Sequence, residues 1–523
     1  MSCRLDNATL IKIAELMVEA TSLRREKRLE DALACIEKAE GIEPNFVYLL
    51  TDKGLVLSQL GRFEEAVRCF DRLLECLPSA PEARMRREEI LKDALALYDG
   101  MLDTDPANVA VLFKHGNILQ HMHRHEDAVR SYRRALETDA RNQHVWNNLG
   151  NSLLELDRPE EAIAAYDRAL EIFPDNEIAL FNRGNILQQL GLMDEAIQNY
   201  RRALSCRPDF PKAVMEQGIC RLAMGDYEEG WRLFEARWRI PQMKGWEIAS
   251  PEPLWLGEED ITGKTVLLWA EQGLGDTLQF LRYVPLVARK AGHVILRVPP
   301  ALRTLSETLE CSLSIVTPQD ELPPHDFHCT LMSLPLAFGT RLESIPADIP
   351  YLHADTEGVG NWRSRLGTKR RPRVGLVWAG RRREPINRTR DMYLEFLRPL
   401  TDLDLEIISL QKEVPDEDRA ALESMPQINP LGETLKDFAD TAALIENLDL
   451  VITVDTAVAH LTGALGKPVW IMLRHSGEWR WLLNRCDSPW YPSARIFRQK
   501  VRGDWAGVVR EVAVALSTLF FPG

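Results

Sequence analysis

Hydrophobic and polar positions in the first half of the chain repeat with a period of 34 residues. One alanine recurs in matching apolar surroundings, and its copies are spaced by 34, 28, 34, 34 and 34 residues: Ala32, Ala66, Ala94, Ala128, Ala162 and Ala196. A glycine recurs at the same 34-residue interval: Gly116, Gly150, Gly184 and Gly218. Each period is long enough for two amphipathic helices. The pattern predicts stacked helical hairpins, each burying its apolar stripe against its neighbours.

A typical unit is WNNLGNSLLELDRPEEAIAAYDRALEIFP, residues 146–174, and it resembles the tetratricopeptide repeat (TPR). Small residues stand where the two helices of a hairpin pack closely, and a proline follows the second helix. The resemblance implies an α-solenoid of about seven units over residues 11–241, within a domain assigned to residues 1–245. The third unit, at 79–106, is six residues short, and we expect a shortened first helix there.

Asparagines recur on one predicted face of these hairpins. They fall at two positions three residues apart, which share a helix face: Asn148 and Asn182 at the first, and Asn117, Asn151 and Asn185 at the second. Amide side chains can hold a peptide backbone without reading its sequence. In O-GlcNAc transferases, which this arrangement resembles, a similar ladder holds the acceptor protein. The alternative is a solvated polar face.

The pattern changes after residue 253, where short apolar runs alternate with helical segments. Strands are predicted at 265–270, 293–298 and 313–316, and again at 373–380, 405–410, 450–454, 469–473 and 495–498. Alternation of this kind predicts parallel sheets. Residues 246–356 and 357–523 are therefore assigned to two Rossmann-like lobes, joined by a charged linker at 355–372. Two such lobes form the GT-B arrangement, with a ligand cleft between them.

The stretch LVITVDTAVAHLTGALGKPVW, residues 450–470, combines a buried strand, a tight turn and a helix of small residues. Such a turn directs backbone N–H groups and the positive helix end to the carboxyl edge of the sheet, which suits an anion. An ordinary strand–helix unit with a capped helix is the alternative.

Five segments of the second half resemble the heptosyltransferase-like glycosyltransferases: WAEQGLGDTLQFLRYVP, GLVWAG, LEIISLQK, DFADTAALIENLDLVITVDTAVAHLTGALGKPVW and WRWLLNRCDSPWYPSARIFRQ. With the repeats, the chain resembles bacterial proteins in which TPRs precede such a domain, some of which glycosylate flagellin. The resemblance implies a metal-independent, inverting GT-B glycosyltransferase that takes a nucleotide-sugar as co-substrate and needs no cofactor.

The resemblance places the catalytic base at Asp276, in the glycine turn formed by Gly273 and Gly275. Its carboxylate would take the proton of the acceptor hydroxyl as that oxygen attacks the anomeric carbon. Glu271 is a lesser candidate. The alternative is that Asp276 forms a capping box with Gln279.

On the donor side the resemblance assigns residues of the second lobe to the nucleotide-sugar. Guanidinium groups bind phosphate bidentately, which favours the arginine-bearing loop after residue 380. His460 is equally suited to the protein interior, and Lys412 to the surface. The candidate donor-binding residues are Arg390, Asn387, Gln411, Lys412, Asp455, Thr456, Ala457 and His460.

Two further groups of residues have expected structural roles. Trp479, Arg480 and Trp481 are expected to pack between the C-terminal segment and its lobe, with stacking on a base or sugar as the alternative. Asp437 opens a predicted helix and would cap it. No metal-ligand pattern stands out, because His325 and His328 lack a third ligand.

Charge and cysteine content limit the setting. The net charge of −14 over 523 residues argues against a nucleic-acid partner. Nine scattered cysteines without a CxxC pair, and the absence of a signal or a transmembrane segment, favour the cytoplasm. We expect transfer of a sugar to Ser or Thr of a protein recruited by the TPRs, with flagellin as the acceptor that the resemblance implies. Transfer to a lipid-linked or lipopolysaccharide glycan, and a non-catalytic scaffold, are the alternatives.

Overall fold

Helical hairpins build the first part of the chain, as the 34-residue period predicts. The computed structural model describes residues 7–42, 48–241, 243, 248, 250–380 and 391–522. Its first thirteen helices are α1 (Asn7–Arg25), α2 (Leu29–Ile42), α3 (Tyr48–Gln59), α4 (Phe63–Cys76), α5 (Pro81–Thr104), α6 (Val109–His121), α7 (His125–Thr138), α8 (Gln143–Glu155), α9 (Pro159–Ile172), α10 (Glu177–Gln189), α11 (Met193–Cys206), α12 (Pro211–Met224) and α13 (Tyr227–Phe234).

The recurring small residues lie where the helices of a hairpin meet, which confirms their predicted role. Every alanine of the repeat series is fully buried: Ala32, Ala66, Ala94, Ala128, Ala162 and Ala196. A Cβ on Gly150 would lie 2.8 Å from the ring of Tyr166, fifteen or so residues further along the same hairpin. The helices therefore approach as closely as they do because these positions carry no larger side chain.

The third unit differs from the expected hairpin with a shortened first helix. It is a single continuous helix, α5, of 24 residues. In the other units the turn between the two helices has one residue with positive φ: Lys27, Gly61, His123, Asp157, Gly191 and Gly225. The corresponding stretch of α5 reads REEI, and this unit is six residues shorter than the others. The missing residues fall where the other units turn, so the helix continues.

Two parallel sheets follow. The first contains β1 (Thr265–Trp269), β2 (His293–Arg297), β3 (Ser314–Val316) and β4 (Phe327–Thr330), in the order β3-β2-β1-β4. Its helices are α14 (Leu274–Phe280), α15 (Val284–Ala288), α16 (Arg303–Ser306) and α17 (Leu334–Ala337). The pattern of the sequence missed β4, because its residues include His328 and follow a proline-rich stretch. Strand β4 extends the sheet beside β1.

The second sheet has the order β10-β9-β8-β5-β6-β7, and every pairing is parallel. Its strands are β5 (Arg373–Val377), β6 (Glu406–Ser409), β7 (Ile428–Asn429), β8 (Leu450–Val454), β9 (Val469–Leu473) and β10 (Ala494–Arg498). Its helices are α18 (Thr356–Leu366), α19 (Asp416–Glu423), α20 (Phe438–Ile445), α21 (Ala457–Ala464) and α22 (Trp505–Phe520). The predicted linker at 355–372 is largely helix α18, whose Trp362 indole donates to Asp440 at 2.6 Å.

The fold is an N-terminal TPR solenoid followed by two α/β sheets, which is consistent with a GT-B domain. Residues 1–186 and 187–523 form two compact units. The second unit thus includes α11, α12 and α13 together with both sheets, whereas the domain boundary expected from the repeats lay at residue 245. Within the described residues, no helix is both long and apolar enough to cross a membrane.

Candidate active site

Both sheets place a candidate segment at the point where their strand order reverses. In the first sheet the reversal lies between β1 and β4, and β1 leads into the turn before α14. In the second it lies between β5 and β8, and β8 leads into Asp455 and Thr456. Ligands of open parallel sheets bind beyond the carboxyl ends of strands at such reversals. The topology therefore selects two segments that the sequence also singled out.

The two segments contact each other. Helix α14 packs against α21, and Gly275 lies so near α21 that an added Cβ would stand 3.0 Å from Cδ2 of His460 and 3.5 Å from Cα of Ala457. The glycine turn therefore permits a close approach between the lobes, as well as keeping its own backbone tight. Candidate residues 180 positions apart in sequence thus share one site.

Asp276 is the third residue of α14 and faces this contact. One carboxylate oxygen, Oδ2, accepts the backbone N–H of Gly273 at 2.9 Å, and the other, Oδ1, accepts from Nη2 of Arg480. The residue that caps α14 is Gly273, so Asp276 closes the turn from the third helical position instead of acting as the N-cap. Each carboxylate oxygen has a second lone pair that can accept a proton.

The charge of Asp276 is set by its surroundings. Burial raises the pKa of this carboxyl above its ordinary value, and the nearby carboxylates of Glu478 and Asp455 raise it further. The guanidinium of Arg480 and the Gly273 N–H oppose this shift. About a fifth of the Asp276 side chain (21%) stays exposed. The group is thus partly desolvated yet reachable, which suits a general base.

Arg480 contacts the candidate base, whereas the sequence led us to expect packing with its tryptophan neighbours, or stacking on a base or sugar. Its guanidinium is 8% exposed and donates from Nε to Oε1 of Gln279 at 2.8 Å, besides contacting Asp276 and Glu478. Burial by itself would lower the pKa of Arg480, but the carboxylates around it raise that pKa. Its position between two tryptophans concealed the role, because such a segment has the composition of a core.

Asp455 and Thr456 stand at the start of α21. Asp455 is 5% exposed and lies within electrostatic reach of Asp276, Arg480 and Arg498. Thr456 is the N-cap of α21, and its hydroxyl pairs with that of Thr453 at 2.9 Å. Ala457 is the first helical residue. The hydroxyl pairing leaves the first backbone N–H groups of α21 without a side-chain cap from Thr456.

His460 is an interior residue. It is 4% exposed, its Nδ1 lies 3.0 Å from the hydroxyl of Tyr491, and its ring stacks on Trp481 with centroids 5.3 Å apart. These contacts favour the interior alternative that the sequence left open. Trp479 and Trp481 are likewise buried, in agreement with the expected packing role.

Gln411 and Lys412 bind the protein backbone. Oε1 of Gln411 accepts the N–H groups of Trp378 and Ala379 at 3.2 Å each, while its Nε2 donates to the carbonyl of Ala379 at 2.8 Å. Lys412 donates to the carbonyls of Leu435 and Lys436 at 2.6 and 2.9 Å. Gln411 therefore joins the segments that follow β5 and β6, and Lys412 holds the loop that precedes α20.

Asn387 and Arg390 lie outside the described residues, in the segment 381–390. Asp391, the first described residue after that segment, accepts the backbone N–H of Gly380 at 2.8 Å.

Glu271, the lesser candidate for a base, is a structural residue. Its carboxylate is fully buried and accepts from Nη2 of Arg237 at 3.1 Å. Asp437 caps α20 as predicted, accepting the N–H of Asp440 at 2.8 Å. Among the residues that the structure describes, no group of three or more His, Cys, Asp or Glu side chains could hold a metal ion.

The asparagine ladder forms a hydrogen-bonded network in the first unit. Asn148 donates to Oδ1 of Asn117 at 2.8 Å, and Asn182 donates to Oδ1 of Asn151 at 3.0 Å. Tyr132 and Tyr166 donate to the same two oxygens, at 2.7 and 2.5 Å. The network fixes the amides along one face, and Asn117 in addition donates to Oε1 of Glu64 at 3.1 Å. Asn185 lies on the same predicted face, in α10.

Family comparisons agree with this architecture. Residues 413–502 match the model for Glycosyltransferase family 9 (heptosyltransferase), and residues 21–90, 113–177 and 178–210 match tetratricopeptide repeat models. These matches, with the two parallel sheets, support a TPR-linked glycosyltransferase.

Protein FlbA of Caulobacter vibrioides (strain ATCC 19089 / CIP 103742 / CB 15) is 27% identical over 331 residues, which cover 56% of this chain and 53% of FlbA. The chain thus spans about half the length of that curated relative. Among solved structures, the crystal structure of MamA is 25% identical over 29% of this chain and 90% of its own, with a TM-score of 0.28. The structure of YrrB, a TPR protein with an unusual peptide-binding site, is 18% identical over 39% and 92%, with a TM-score of 0.25.

Proposed function

We propose that the chain is a protein O-glycosyltransferase that transfers a sugar from a nucleotide-sugar to Ser or Thr of a protein held by the TPRs. The observation that carries the proposal is the contact between the Asp276 turn and the start of α21. It brings a partly desolvated carboxylate, suited to accept a proton, next to backbone N–H groups suited to a leaving diphosphate.

In the proposed reaction Asp276 takes the proton of the acceptor hydroxyl while the hydroxyl oxygen bonds to the anomeric carbon. The bond between that carbon and the diphosphate oxygen breaks with its electron pair on the diphosphate. Thr456, the Ala457 N–H and the positive end of α21 stabilise this charge, so the step needs no metal ion. Asp455 would bind sugar or ribose hydroxyls, and Arg390 and Asn387 the diphosphate. Attack opposite the leaving group inverts the configuration.

On the acceptor side, the proposal assigns the ladder of Asn117, Asn148, Asn151, Asn182 and Asn185 to the backbone of an extended peptide. Its support is the regular hydrogen-bonded spacing of these amides, which repeats as TPR units repeat. Flagellin is the first acceptor to test, and we place the reaction in the cytoplasm.

The proposal is tested by Asp276→Asn in the full chain. A thermal-shift screen with UDP-, GDP-, ADP- and CMP-sugars identifies the donor, and mass spectrometry of flagellin after incubation with that donor measures transfer. We expect the variant to keep the thermal shift but to lose transfer by 10²-fold or more, as expected when a general base is removed. The matched control is Asp260→Asn, an exposed carboxylate of the same lobe that binds Thr262.

Other outcomes decide against the proposal. Full transfer by Asp276→Asn would exclude this residue as the base. Transfer to a lipid-linked or lipopolysaccharide glycan, with no transfer to any protein, would show that the acceptor is a glycan. The absence of a thermal shift with every nucleotide-sugar would favour a scaffold without catalysis.

A further inference from the structure

Three consecutive side chains, in the 3-10 turn Trp479–Trp481, contact three different parts of the second unit. Trp479 packs edge-on against Trp231 of α13, with ring centroids 5.1 Å apart. Arg480 reaches Asp276 and Gln279 of α14 in the first lobe. Trp481 stacks on His460 of α21 in the second lobe. The turn is therefore a junction between the last repeat helix, the base and the helix proposed to bind the diphosphate.

The guanidinium of Arg480 is suited to orient a carboxylate. It is planar, and each of its three nitrogens has a separate partner: Nε has Gln279, Nη1 has Glu478 and Nη2 has Asp276. Gln279 and Asp276 both belong to α14, so one rigid group fixes the helix and its carboxylate together. A lysine could supply the charge but could not reproduce this fork.

The junction is itself held in place. Leu482, directly after it, has φ of +51°, a conformation that a leucine adopts only when its surroundings demand it. Arg498 at the end of β10 donates to the carbonyl of Leu482 at 2.7 Å. Strain of this kind persists where surrounding contacts over-determine the backbone, and here it lies two residues after Arg480.

The charged groups around Asp276 come from every packed element. Arg480 lies in the junction, and Glu478 directly precedes it. Asp455 directly follows β8, and His460 of α21 lies beside Gly275. Glu216 of α12 faces Glu478. Among these groups, the guanidinium of Arg480 donates directly to the Asp276 carboxylate and opposes the rise in its pKa.

We propose that Arg480 is a positioning residue, which holds the Asp276 carboxylate aimed at the start of α21 through the Trp479–Trp481 junction. This inference rests on the proposed role of Asp276 as the base.

The test compares Arg480→Gln and Arg480→Lys with the wild type, all as full chains. Arg485→Gln is the control, because Arg485 forms a half-exposed pair with Asp487 close to the junction. Nucleotide release from the UDP-, GDP-, ADP- and CMP-sugar panel with flagellin is measured between pH 5 and 9. For Arg480→Gln we expect kcat to fall on the order of 10²-fold with little change in KM, since misplacement of a catalytic group costs about that much.

The pH profile separates positioning from a merely structural role. Loss of the guanidinium raises the pKa of Asp276, so the acid limb of kcat/KM should move to higher pH in Arg480→Gln. Arg480→Lys keeps the charge, so it should restore the acid limb without restoring kcat. An acid limb that stays in place in Arg480→Gln overturns the inference, even if the variant is less stable.

A second measurement needs no turnover. Thermal unfolding between pH 4 and 8 is measured for two pairs of proteins. The first pair is the wild type and Asp276→Asn, and the second pair is Arg480→Gln and the double variant Asp276→Asn with Arg480→Gln. The pH at which the two members of each pair diverge reports the titration of Asp276. We expect that pH to be higher without Arg480, and equal values overturn the inference. If the wild type releases no nucleotide but this shift occurs, the proposed function fails while the Arg480 effect on Asp276 stands.

Discussion

At the scale of single residues, the second unit buries carboxyl groups at several places, and each has a different consequence. The Asp276 side chain is partly exposed and pairs with Arg480, and we propose it as the base. Glu271 has no exposed surface, and its pKa is raised to about 7 by burial, against the opposing effect of Arg237. Burial likewise raises the pKa of Glu216 to about 7. Buried carboxyl groups of the same unit therefore differ in role: we propose Asp276 for catalysis, whereas Glu271 pairs with Arg237 inside the fold.

Glu271 should make stability depend on pH. The folded state holds its proton up to about pH 7, whereas the unfolded chain releases it near the ordinary value of 4.5. The folded state binds more protons between these values, so the free energy of unfolding falls as pH rises from 4.5 to 7. We expect Glu271→Gln to flatten this decline, measured by denaturant titration at several pH values.

The matched control is Glu258→Gln, an exposed glutamate of the same lobe. Relative to the wild type, the Glu271→Gln protein should be most stable above pH 7, because the wild type then carries an ionised carboxyl whose burial costs free energy. Part of the decline in stability with rising pH should persist in this variant, because Glu216 also has a raised pKa and titrates in the same interval. An unchanged slope in Glu271→Gln would show that this carboxyl does not titrate in the interval.

At the scale of elements, the hairpins are governed by the contact between a glycine and an aromatic ring. Gly54, Gly116 and Gly150 each lie against a ring of the partner helix, those of Phe70, Tyr132 and Tyr166 respectively. Helix α5 lacks such a contact, because Gly100 has no atom within 4 Å of an added Cβ. Glycines of the same protein should therefore respond oppositely to the same substitution.

We expect Gly150→Ala to destabilise the protein by about 1–3 kcal/mol, because the added methyl overlaps the Tyr166 ring. Gly100→Ala is the matched substitution, and it should stabilise by about 0.5–1 kcal/mol through better helix propensity. Both values come from chemical denaturation. Equal effects of the two substitutions would contradict the packing explanation.

At the scale of the whole molecule, the helices that end the repeats belong with the lobes. Trp231 of α13 is buried among Phe280, Trp479 and Tyr227, and Trp490 donates to the Tyr227 hydroxyl at 3.0 Å. Arg237 supplies the partner of buried Glu271. A sequence boundary drawn at the end of the repeats cuts through these contacts.

A shortened protein should fold only if it retains those helices. We expect residues 187–523 to give a cooperative thermal transition, and residues 241–523 to aggregate or lack one. The shorter chain leaves an apolar cluster exposed and the Glu271 carboxyl buried without its arginine. Circular dichroism melting and size-exclusion chromatography measure the difference. A stable 241–523 protein would show that the last repeat helices are dispensable to the lobes.

The sequence alone predicted much of this fold. Period and spacing identified the repeats, and apolar runs at 265–270, 373–380 and 450–454 identified central strands, because a buried parallel strand needs a continuous apolar run. The same patterns missed β4, and they predicted a hairpin where α5 is continuous. In both cases local composition was ambiguous and neighbouring elements decided the outcome.

The candidate site divides in the same way. Asp276, Asp455 and Thr456 could be found from the sequence, because each follows a recognisable strand and turn. Arg480 could not be assigned to Asp276, since it lies 204 residues further along the chain and only folding joins them. Nor could the sequence show that Gln411 binds the backbone of Trp378, or decide that His460 packs against Trp481. Local pattern determines which elements form, whereas the partners of a polar side chain are decided by which elements tertiary packing brings together.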